Sequence, residues 1–328
     1  MIFSGQGNSR RLGSERIASE MAFDGDDEHM SDGAPDDDPS VVVEKRSPVE
    51  VFELLSSGVR VEILRALGET PNEALTFSSL YERVDIADSG NFNYHLGKLV
   101  GSFVRESDGY ELTHAGKQVV GAMYAGTYTT KATVDPISVG WDCLLCGGEM
   151  VVSYDDEKAD FRCTDCEKGA RFSFPAGSLD QFEREELPQA FARWWHQLMT
   201  RIADGFCSIC AGRLDGELAS PPGGTEDDPQ PSHAEFECRR CGGVAEVSGA
   251  TLATFHPVVE GFFAEHGFDV STRHGSQVWG EMDAFDATVL SEDPLRLEMR
   301  FEHAGETVVA EIDPDATVSC VERRPSAR

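Results

Sequence analysis

Eight of the nine cysteines are arranged in four pairs, with two residues between the members of each pair. A Cys-x2-Cys turn places two thiolates on one side of a knuckle, and a second knuckle completes a sulfur tetrahedron about 2.3 Å from a zinc ion. The ligands predicted for a first ion are Cys143, Cys146, Cys163 and Cys166. The ligands predicted for a second ion are Cys207, Cys210, Cys238 and Cys241. We therefore predict two Zn²⁺ sites, with an iron–sulfur centre as the alternative.

Sites of this kind have a structural and not a hydrolytic role, because four thiolates leave no coordination position for water. The sequence has no phosphate-binding loop, no His-x-Glu metal motif and no evident pairing of a nucleophile with a base. The ninth thiol, Cys320, stands alone on a predicted strand, where we expect it to be buried. The sequence therefore gives no support for an enzyme.

A second set of residues suited to recognition lies in the stretch DSGNFNYHLGKLVGSFV, residues 88–104. Read as a helix, it places Phe92, Leu96 and Leu99 on one apolar face and polar side chains on the other. Asn can pair with adenine, Lys can reach guanine or phosphate, and Tyr can contact phosphate or a thymine methyl group. The candidate DNA-binding residues are Asn91, Asn93, Tyr94, His95 and Lys98, with Arg105 beyond the helix. A solvated face in a protein-interaction module is the alternative.

This helix is the fourth of five that we predict over residues 45–130. Apolar residues recur at three-to-four spacing in each segment, and Ser47, Thr113 and either Asp88 or Ser89 are suited to begin helices. The stretch FVRESDGYELT, which follows the fourth helix, contains an Asp-Gly dipeptide and predicts a hairpin. The second, third and fourth helices followed by a hairpin give the order of a winged helix-turn-helix domain.

The stretches GVRVEILRALGE, NFNYHLGKLVGS and FVRESDGYELTHAGK resemble the ArsR-like family of prokaryotic transcriptional regulators over roughly 80 residues. The resemblance implies sequence-specific binding of double-stranded DNA by a homodimer, with the first and fifth helices at the dimer interface. It does not imply metal sensing at the family's usual site, because this segment contains no cysteine.

The remainder of the chain predicts two zinc ribbons, each followed by an aromatic-rich helix, and then a small antiparallel meander of three strands. The insert ELASPPGGTEDDPQPSHAEF, residues 217–236, is expected to be a solvated loop within the second ribbon. Cys143 and Cys207 are 64 residues apart, which indicates a duplicated unit. Glycines after the pairs, at Gly147, Gly169, Gly212 and Gly242, are expected to permit tight backbone turns. We expect Trp194 and Trp195 to pack in the core, with a ligand pocket as the alternative.

The fold class is α+β. The predicted segments are a disordered acidic tail over 1–44, the winged domain over 45–130, ribbons with helices over 138–204 and 205–268, and the meander over 277–324.

The charge of the chain is unusual, with 59 acidic and 28 basic residues and a formal net charge of -31. Such acidity is tolerable where salt screens self-repulsion, so we predict a halophilic archaeal protein. The segment from Arg46 to Gly126 is itself acidic, with seven basic and eleven acidic residues. In molar salt, the electrostatic repulsion between the protein and DNA is screened within about 3 Å. Uncharged Asn and Tyr side chains can then recognise DNA by hydrogen bonds, which depend less on counterion release than contacts of Lys do.

These observations predict a DNA-binding transcriptional regulator of the repressor type in the cytoplasm, without a membrane-spanning segment and with zinc ribbons for sensing or partner contact. A general transcription adaptor that contacts RNA polymerase is the first alternative, because the archaeal factor TFE also joins a winged helix to a zinc ribbon. A thiol-based redox sensor that ejects zinc on oxidation is the second.

Overall fold

Amphipathic segments and one hairpin build the first unit of the protein, which ends at Met123. The structure is a computed structural model that describes residues 44–220 and 232–325. All but the last residue of the predicted acidic tail lies outside this range. The elements of the first unit are α1 (Pro48–Glu53), α2 (Gly58–Gly68), α3 (Phe77–Tyr81), α4 (Ser89–Leu99), β1 (Val104–Glu106), β2 (Tyr110–Leu112) and α5 (His114–Tyr124).

Side-chain caps fix where three of these helices begin. The hydroxyl of Thr76 accepts the amide hydrogen of Ser79 at α3, and Thr113 caps α5 in the same way. The carboxylate of Asp88 accepts the amide hydrogen of Asn91 and begins α4. The cap predicted at Asp88 or Ser89 is therefore formed by Asp88.

The core of this unit forms where α2, α3 and α4 meet the hairpin. Phe92, Leu96 and Leu99 of α4 are fully buried, as predicted. Leu75, just before α3, exchanges two backbone hydrogen bonds of 2.8 and 2.9 Å with Tyr110 of β2. The hairpin thus gains a short third strand at Leu75.

The hairpin turn differs from the two-residue turn that an Asp-Gly dipeptide favours. β1 and β2 pair from Val104 opposite Leu112 to Glu106 opposite Tyr110, which leaves a three-residue loop, 107–109. A Cβ atom at Gly109 would lie 2.8 Å from the carbonyl oxygen of Leu75. Glycine is therefore required there by the close approach of the third strand.

The second unit, from Tyr124 onward, contains three antiparallel sheets in the described residues. The first has β3 (Val134–Asp142), β4 (Glu149–Asp155), β5 (Lys158–Cys163) and β6 (Gly169–Ser173) in that order. The second has β7 (Leu214–Ala219), β8 (His233–Cys238) and β9 (Val244–Ser248). The third is a meander of β10 (Ala284–Glu292), β11 (Leu295–His303), β12 (Glu306–Ile312) and β13 (Val318–Pro325).

Helices follow each of the first two sheets. Their bounds are α6 (Leu187–Ala203), α7 (Gly249–Thr254), α8 (Pro257–Glu265) and α9 (Gly275–Gly280), with short 3₁₀ turns at Ala176–Gln181 and Arg184–Glu186. The predicted mixed α+β class with small antiparallel sheets is confirmed. No helix of the described residues combines the length and apolarity needed to cross a membrane.

Three details of the second unit differ from the predictions. The helix expected after the second ribbon is broken into α7 and α8, because Pro257 begins a new helix and His256 caps it. The meander has a fourth strand, β10, whose residues are mostly exposed and lack a clear alternating pattern. The ends of the loop predicted within the second ribbon are strand, since Ala219 pairs with His233; residues 221–231 lie outside the described range.

A single hydrophobic core joins both ribbons, their helices and the meander. Its fully buried aromatic residues include Phe161 from the first ribbon, Phe191 from α6, Phe263 from α8 and Phe301 from β11. The segments that we predicted separately over 138–204, 205–268 and 277–324 therefore share one interior. Trp195 is buried in it.

Candidate metal centres and an exposed helix face

The eight paired cysteines converge in two clusters of four, each with its sulfur atoms within 4.8 Å of one another. The Sγ–Sγ distance is 3.7 Å between Cys143 and Cys166 and 3.4 Å between Cys146 and Cys163. In the second cluster the corresponding distances are 3.7 and 3.5 Å. A tetrahedron with metal–sulfur bonds of about 2.3 Å has edges of about 3.8 Å. Both clusters are therefore suited to holding a metal ion, which is consistent with zinc.

The same backbone turn builds all four knuckles. In each, the amide of the first cysteine donates to the carbonyl five residues later, at 2.8 or 2.9 Å. The residue four positions after the first cysteine has a left-handed backbone. These residues are Gly147 (φ 73°), Glu167 (φ 57°), Ala211 (φ 54°) and Gly242 (φ 66°). The prediction that glycine makes the turn thus holds for two knuckles and was wrong for the other two.

Gly169 and Gly212 are needed for a different reason, which is close approach. A Cβ atom at Gly169 would lie 1.8 Å from the carbonyl oxygen of Phe161 on the neighbouring strand. A Cβ atom at Gly212 would lie 3.0 Å from Sγ of Cys238 and 3.1 Å from Sγ of Cys210. Gly212 therefore leaves room for the sulfur atoms of the second cluster.

Backbone amides also bond the sulfur atoms directly. The amide of Arg240 lies 3.4 Å from Sγ of Cys238, and the amides of Cys241 and Arg240 lower the pKa of Cys238 to about 6. Although the amide of Gly243 acts in the opposite direction, the neighbouring thiols of Cys210 and Cys238 raise the pKa of Cys241 to about 12. Four adjacent thiolates repel one another, so a bound cation is required to keep all of them ionised.

The clusters are only partly enclosed. Cys143, Cys163, Cys207 and Cys238 are buried, whereas Cys146 and Cys241 are exposed. Cys320 is half-buried on β13, so the expectation of a buried thiol was wrong. It lies on an edge strand of the meander, where one side of the strand pairs with no strand of the described residues.

The two ribbons are superimposable in register. Met150 lies opposite Cys163 in the first ribbon, and Leu214 lies opposite Cys238 in the second. Each of these residues is seven positions after the first cysteine of its ribbon. Arg162 opposite Gly169 likewise corresponds to Glu237 opposite Val244. This correspondence supports the predicted duplication and gives the residues around the knuckles their equivalents. The second ribbon is longer between its cysteine pairs, with twenty-seven residues against sixteen.

The predicted polar face of α4 is exposed to solvent. Asn91, Asn93, Tyr94 and Lys98 are exposed, and His95 is half-buried. The side-chain amides of Asn91 and Asn93 have no hydrogen bond to any residue that the structure describes. α4 carries no acidic residue between Ser89 and Leu99. The face therefore presents donors and acceptors that are available to a partner.

Four of the six candidate DNA-binding residues are already engaged within the protein. Lys98 lies over the ring of Tyr94, with Nζ 5.6 Å from its centroid. Nδ1 of His95 is 3.5 Å from the hydroxyl of Ser57. Arg105, on β1, donates to Glu111 on β2, with its closest nitrogen 2.9 Å from the carboxylate. Arg105 is thus partly neutralised, which an isolated reading of the hairpin sequence did not anticipate.

The sequence reasoning missed the backbone groups that support these sites. The amides that bond the cysteine sulfurs, and Leu75 at the edge of the hairpin, leave no signal in side-chain type. The left-handed residues Glu167 and Ala211 could have been found by their fixed position, four residues after the first cysteine of each knuckle.

Two family models match the chain. A domain of unknown function, DUF7347, matches residues 48–123, and a second domain of unknown function, DUF7351, matches residues 140–318. No curated protein matches the chain. The second match contains both cysteine clusters and spans more than half of the 328 residues, so the chain belongs to the DUF7351 family.

Proposed function

We propose that residues 48–123 form a winged helix-turn-helix domain that binds double-stranded DNA, and that the protein is a sequence-specific transcriptional regulator. The observation that carries the proposal is the order α2, Leu75 strand, α3, α4, β1, β2 around one core. In winged helix-turn-helix proteins, the helix at the position of α4 enters the major groove. The wing at the position of β1 and β2 lies beside the backbone.

The exposed face of α4 supports this assignment through its chemistry. Asn91 and Asn93 offer amides that can pair with adenine, and the phenol of Tyr94 can donate to phosphate. None of these groups is charged, and the helix has no carboxylate between Ser89 and Leu99. The carboxylate of its cap, Asp88, accepts the amide hydrogen of Asn91. Recognition by such groups depends less on counterion release than recognition by Lys and Arg does.

The acidic composition supports a protein that works in concentrated salt, as in a halophilic archaeon. With a formal net charge of -31, the chain would repel DNA in dilute buffer. Molar salt shortens the range of that repulsion to about 3 Å. The α4 face can then approach a groove at little electrostatic cost.

We further propose that the protein is a homodimer, as the ArsR-like resemblance implies. Val49 and Phe52 of α1 are 67% and 69% exposed. Apolar side chains at this exposure favour contact with another surface. A second copy of α1 and α5 would cover them, and a dimer would match a two-fold operator.

For the two clusters we propose Zn²⁺ with a structural role. Zinc prefers tetrahedral sulfur ligation, and four protein ligands leave no place for water. Metal analysis of the protein purified under reducing conditions tests this, with two zinc ions per chain expected. Iron with a visible charge-transfer absorption would contradict it.

Selection of binding sites from a random DNA pool, in molar KCl, tests the proposed function. Enrichment of a two-fold symmetric motif is the expected result. Affinity capture from cells under the same conditions is the companion experiment. RNA polymerase in the captured material, without an enriched motif, would instead identify a general transcription adaptor.

A further inference from the structure

An open cleft of about 840 Å³ lies in the second unit, between the two ribbons. Its volume falls in the range of small-molecule binding sites. Phe172 of β6 and Trp195 and Met199 of α6 form an apolar floor. Ile209 and Val244 of the second ribbon stand at its mouth, 77% and 79% exposed. The cleft therefore presents apolar surface at its mouth that nothing in the described residues covers, whereas the floor side chains are largely buried.

The equivalent surface of the first ribbon is partly covered by its own chain, although Leu145 stays 55% exposed. By the register given above, Leu145 and Ala170 correspond to Ile209 and Ala245. Against that surface α9 places Trp279, which leaves a cavity of only about 50 Å³. The same ribbon surface therefore accepts an aromatic ring in one copy and is open in the other.

Two cations stand at the wall of the open cleft. Lys158 and Arg171 line it and lie on the same face of neighbouring strands, since Lys158 is opposite Ser173 and Asp160 is opposite Arg171. Neither cation makes an ion pair or hydrogen bond with a described residue, and even Asp160 lies beyond ion-pair distance from Arg171. Unpaired cations beside an apolar floor favour a ligand with a carboxylate.

The charge balance limits how much negative charge the ligand carries. Glu157 and Glu246 also line the cleft, so its four charged side chains sum to zero. Asp160, opposite Arg171 and attracted by it, adds a negative charge beside them. A polyanion such as a nucleic acid backbone would meet these carboxylates as well as the two cations. A single carboxylate can contact Lys158 and Arg171 without that repulsion.

We infer that this cleft binds a small aromatic monocarboxylate, with its ring on the floor beside Trp195 and its carboxylate between Lys158 and Arg171. The inference goes beyond the proposed function and does not depend on DNA binding, because every residue that carries it lies in the second unit.

Calorimetric titration of the full, metal-loaded chain in molar KCl tests the inference with two matched probes. 3-Phenylpropionate and phenethylamine share a ring and a two-carbon linker but carry opposite charges. We expect saturable binding of 3-phenylpropionate at one molecule per chain, and binding of phenethylamine at least about tenfold weaker, the size of a charge-assisted contact. Equal binding of the two probes, or no binding of 3-phenylpropionate at millimolar concentration, would overturn the inference.

Variants locate the site. Lys158→Met and Arg171→Met should each weaken 3-phenylpropionate by about tenfold, and Ile209→Ser should also weaken it through lost apolar contact. Arg162→Met is the matched control, because Arg162 lies on the same sheet face but outside the cleft. An equal loss with Arg162→Met would mean nonspecific attraction to a basic sheet face and would refute the assigned site. Unchanged melting temperatures verify that each variant is folded.

Discussion

Gly212 lies so close to Cys238 that a Cβ atom added to it would stand 3.0 Å from Sγ. The Gly212→Ala change should therefore displace a ligand sulfur of the second cluster, while the first cluster is untouched. We expect one metal ion per chain to become at least about tenfold easier to remove, a loss typical of altered ligand support. Competition with a colorimetric chelator measures how easily each of the two metal ions is removed, because the two ions are released in separate steps.

The control for Gly212→Ala is Gly261→Ala on α8, where no heavy atom lies within 4 Å of the added Cβ. Alanine is favoured over glycine within a helix by up to about 1 kcal/mol, so this variant should be at least as stable as the wild type and should release both ions normally. Two unchanged release steps in Gly212→Ala would show that the close approach has no functional consequence.

Metal removal should affect the two units differently. The first unit has its own core and contains no cysteine, whereas β4, β5, β7 and β8 are tied to the clusters through their knuckles. After chelation, we expect amide hydrogen exchange to accelerate in these strands while α2 and α4 keep their protection, because structural metal binding contributes directly to folding. Mass spectrometry of exchanged peptides measures both regions in one sample. Equal acceleration in α2 would contradict a separate first unit.

Acid should destabilise the second unit through His274. Burial lowers the pKa of His274 to about 3, below the value of about 6.5 in an unfolded chain. Between about pH 6.5 and about pH 3, His274 is therefore protonated in the unfolded chain and neutral in the folded chain. The free energy of unfolding consequently falls as the pH decreases through this range. Linkage gives a loss of about 1 kcal/mol between pH 6 and pH 5.

In the wild type, the amide of Ser276 donates to Nδ1 of His274 at 3.3 Å. Replacing His274 with Asn keeps an acceptor for this hydrogen bond and removes the titratable imidazole. Denaturant unfolding at pH 6 and at pH 5 gives the free energy of unfolding at each pH. Between these values the wild type should lose about 1 kcal/mol more of this free energy than His274→Asn does. His256→Asn is the matched control, because Nδ1 of His256 caps α8 with the same geometry. Equal losses for the wild type and His274→Asn would rule out this source of acid sensitivity.

The sequence predicted the parts of this protein that depend on local spacing. The knuckles are closed by hydrogen bonds within six residues, so the cysteine spacing was sufficient to identify both clusters. The burial of Phe92, Leu96 and Leu99 followed from the helical period in the same way.

Features that depend on distant partners were not predictable. Strand β10 is defined by its pairing with β11 and has few buried residues, so its own sequence gives little sign of it. The shared core of the ribbons and meander rests on contacts such as Gly249 beside Met299, where an added Cβ would lie 3.1 Å from the sulfur. The internal pairing of Arg105 with Glu111 likewise required the register of the hairpin.

Substitutions on the exposed face of α4 should weaken DNA recognition without unfolding the domain. Asn93 and Tyr94 are exposed, so Asn93→Ala and Tyr94→Ala should change stability by less than about 0.5 kcal/mol. Each lost base or phosphate contact is worth about 1–3 kcal/mol, so affinity for a selected site should fall about tenfold or more. Gln197→Ala, at an exposed position of α6 in the second unit, is the control and should bind normally. Wild-type affinity in the double variant would exclude α4 as the recognition helix.

The dependence of that affinity on salt distinguishes this mode of recognition from ordinary basic-protein binding. A protein that neutralises phosphates with Lys and Arg loses affinity steeply as salt rises, since counterion release is its driving force. Here the bulk charge is of the same sign as DNA, and added KCl screens a repulsion. We therefore expect the dissociation constant for a selected site to fall or stay level as KCl is raised from tenths of molar to molar concentrations. Fluorescence anisotropy of a labelled duplex measures it, with potassium glutamate as a check on anion effects. A steep rise in the dissociation constant would mean that cations such as Lys98 dominate binding and that the uncharged groups of α4 do not.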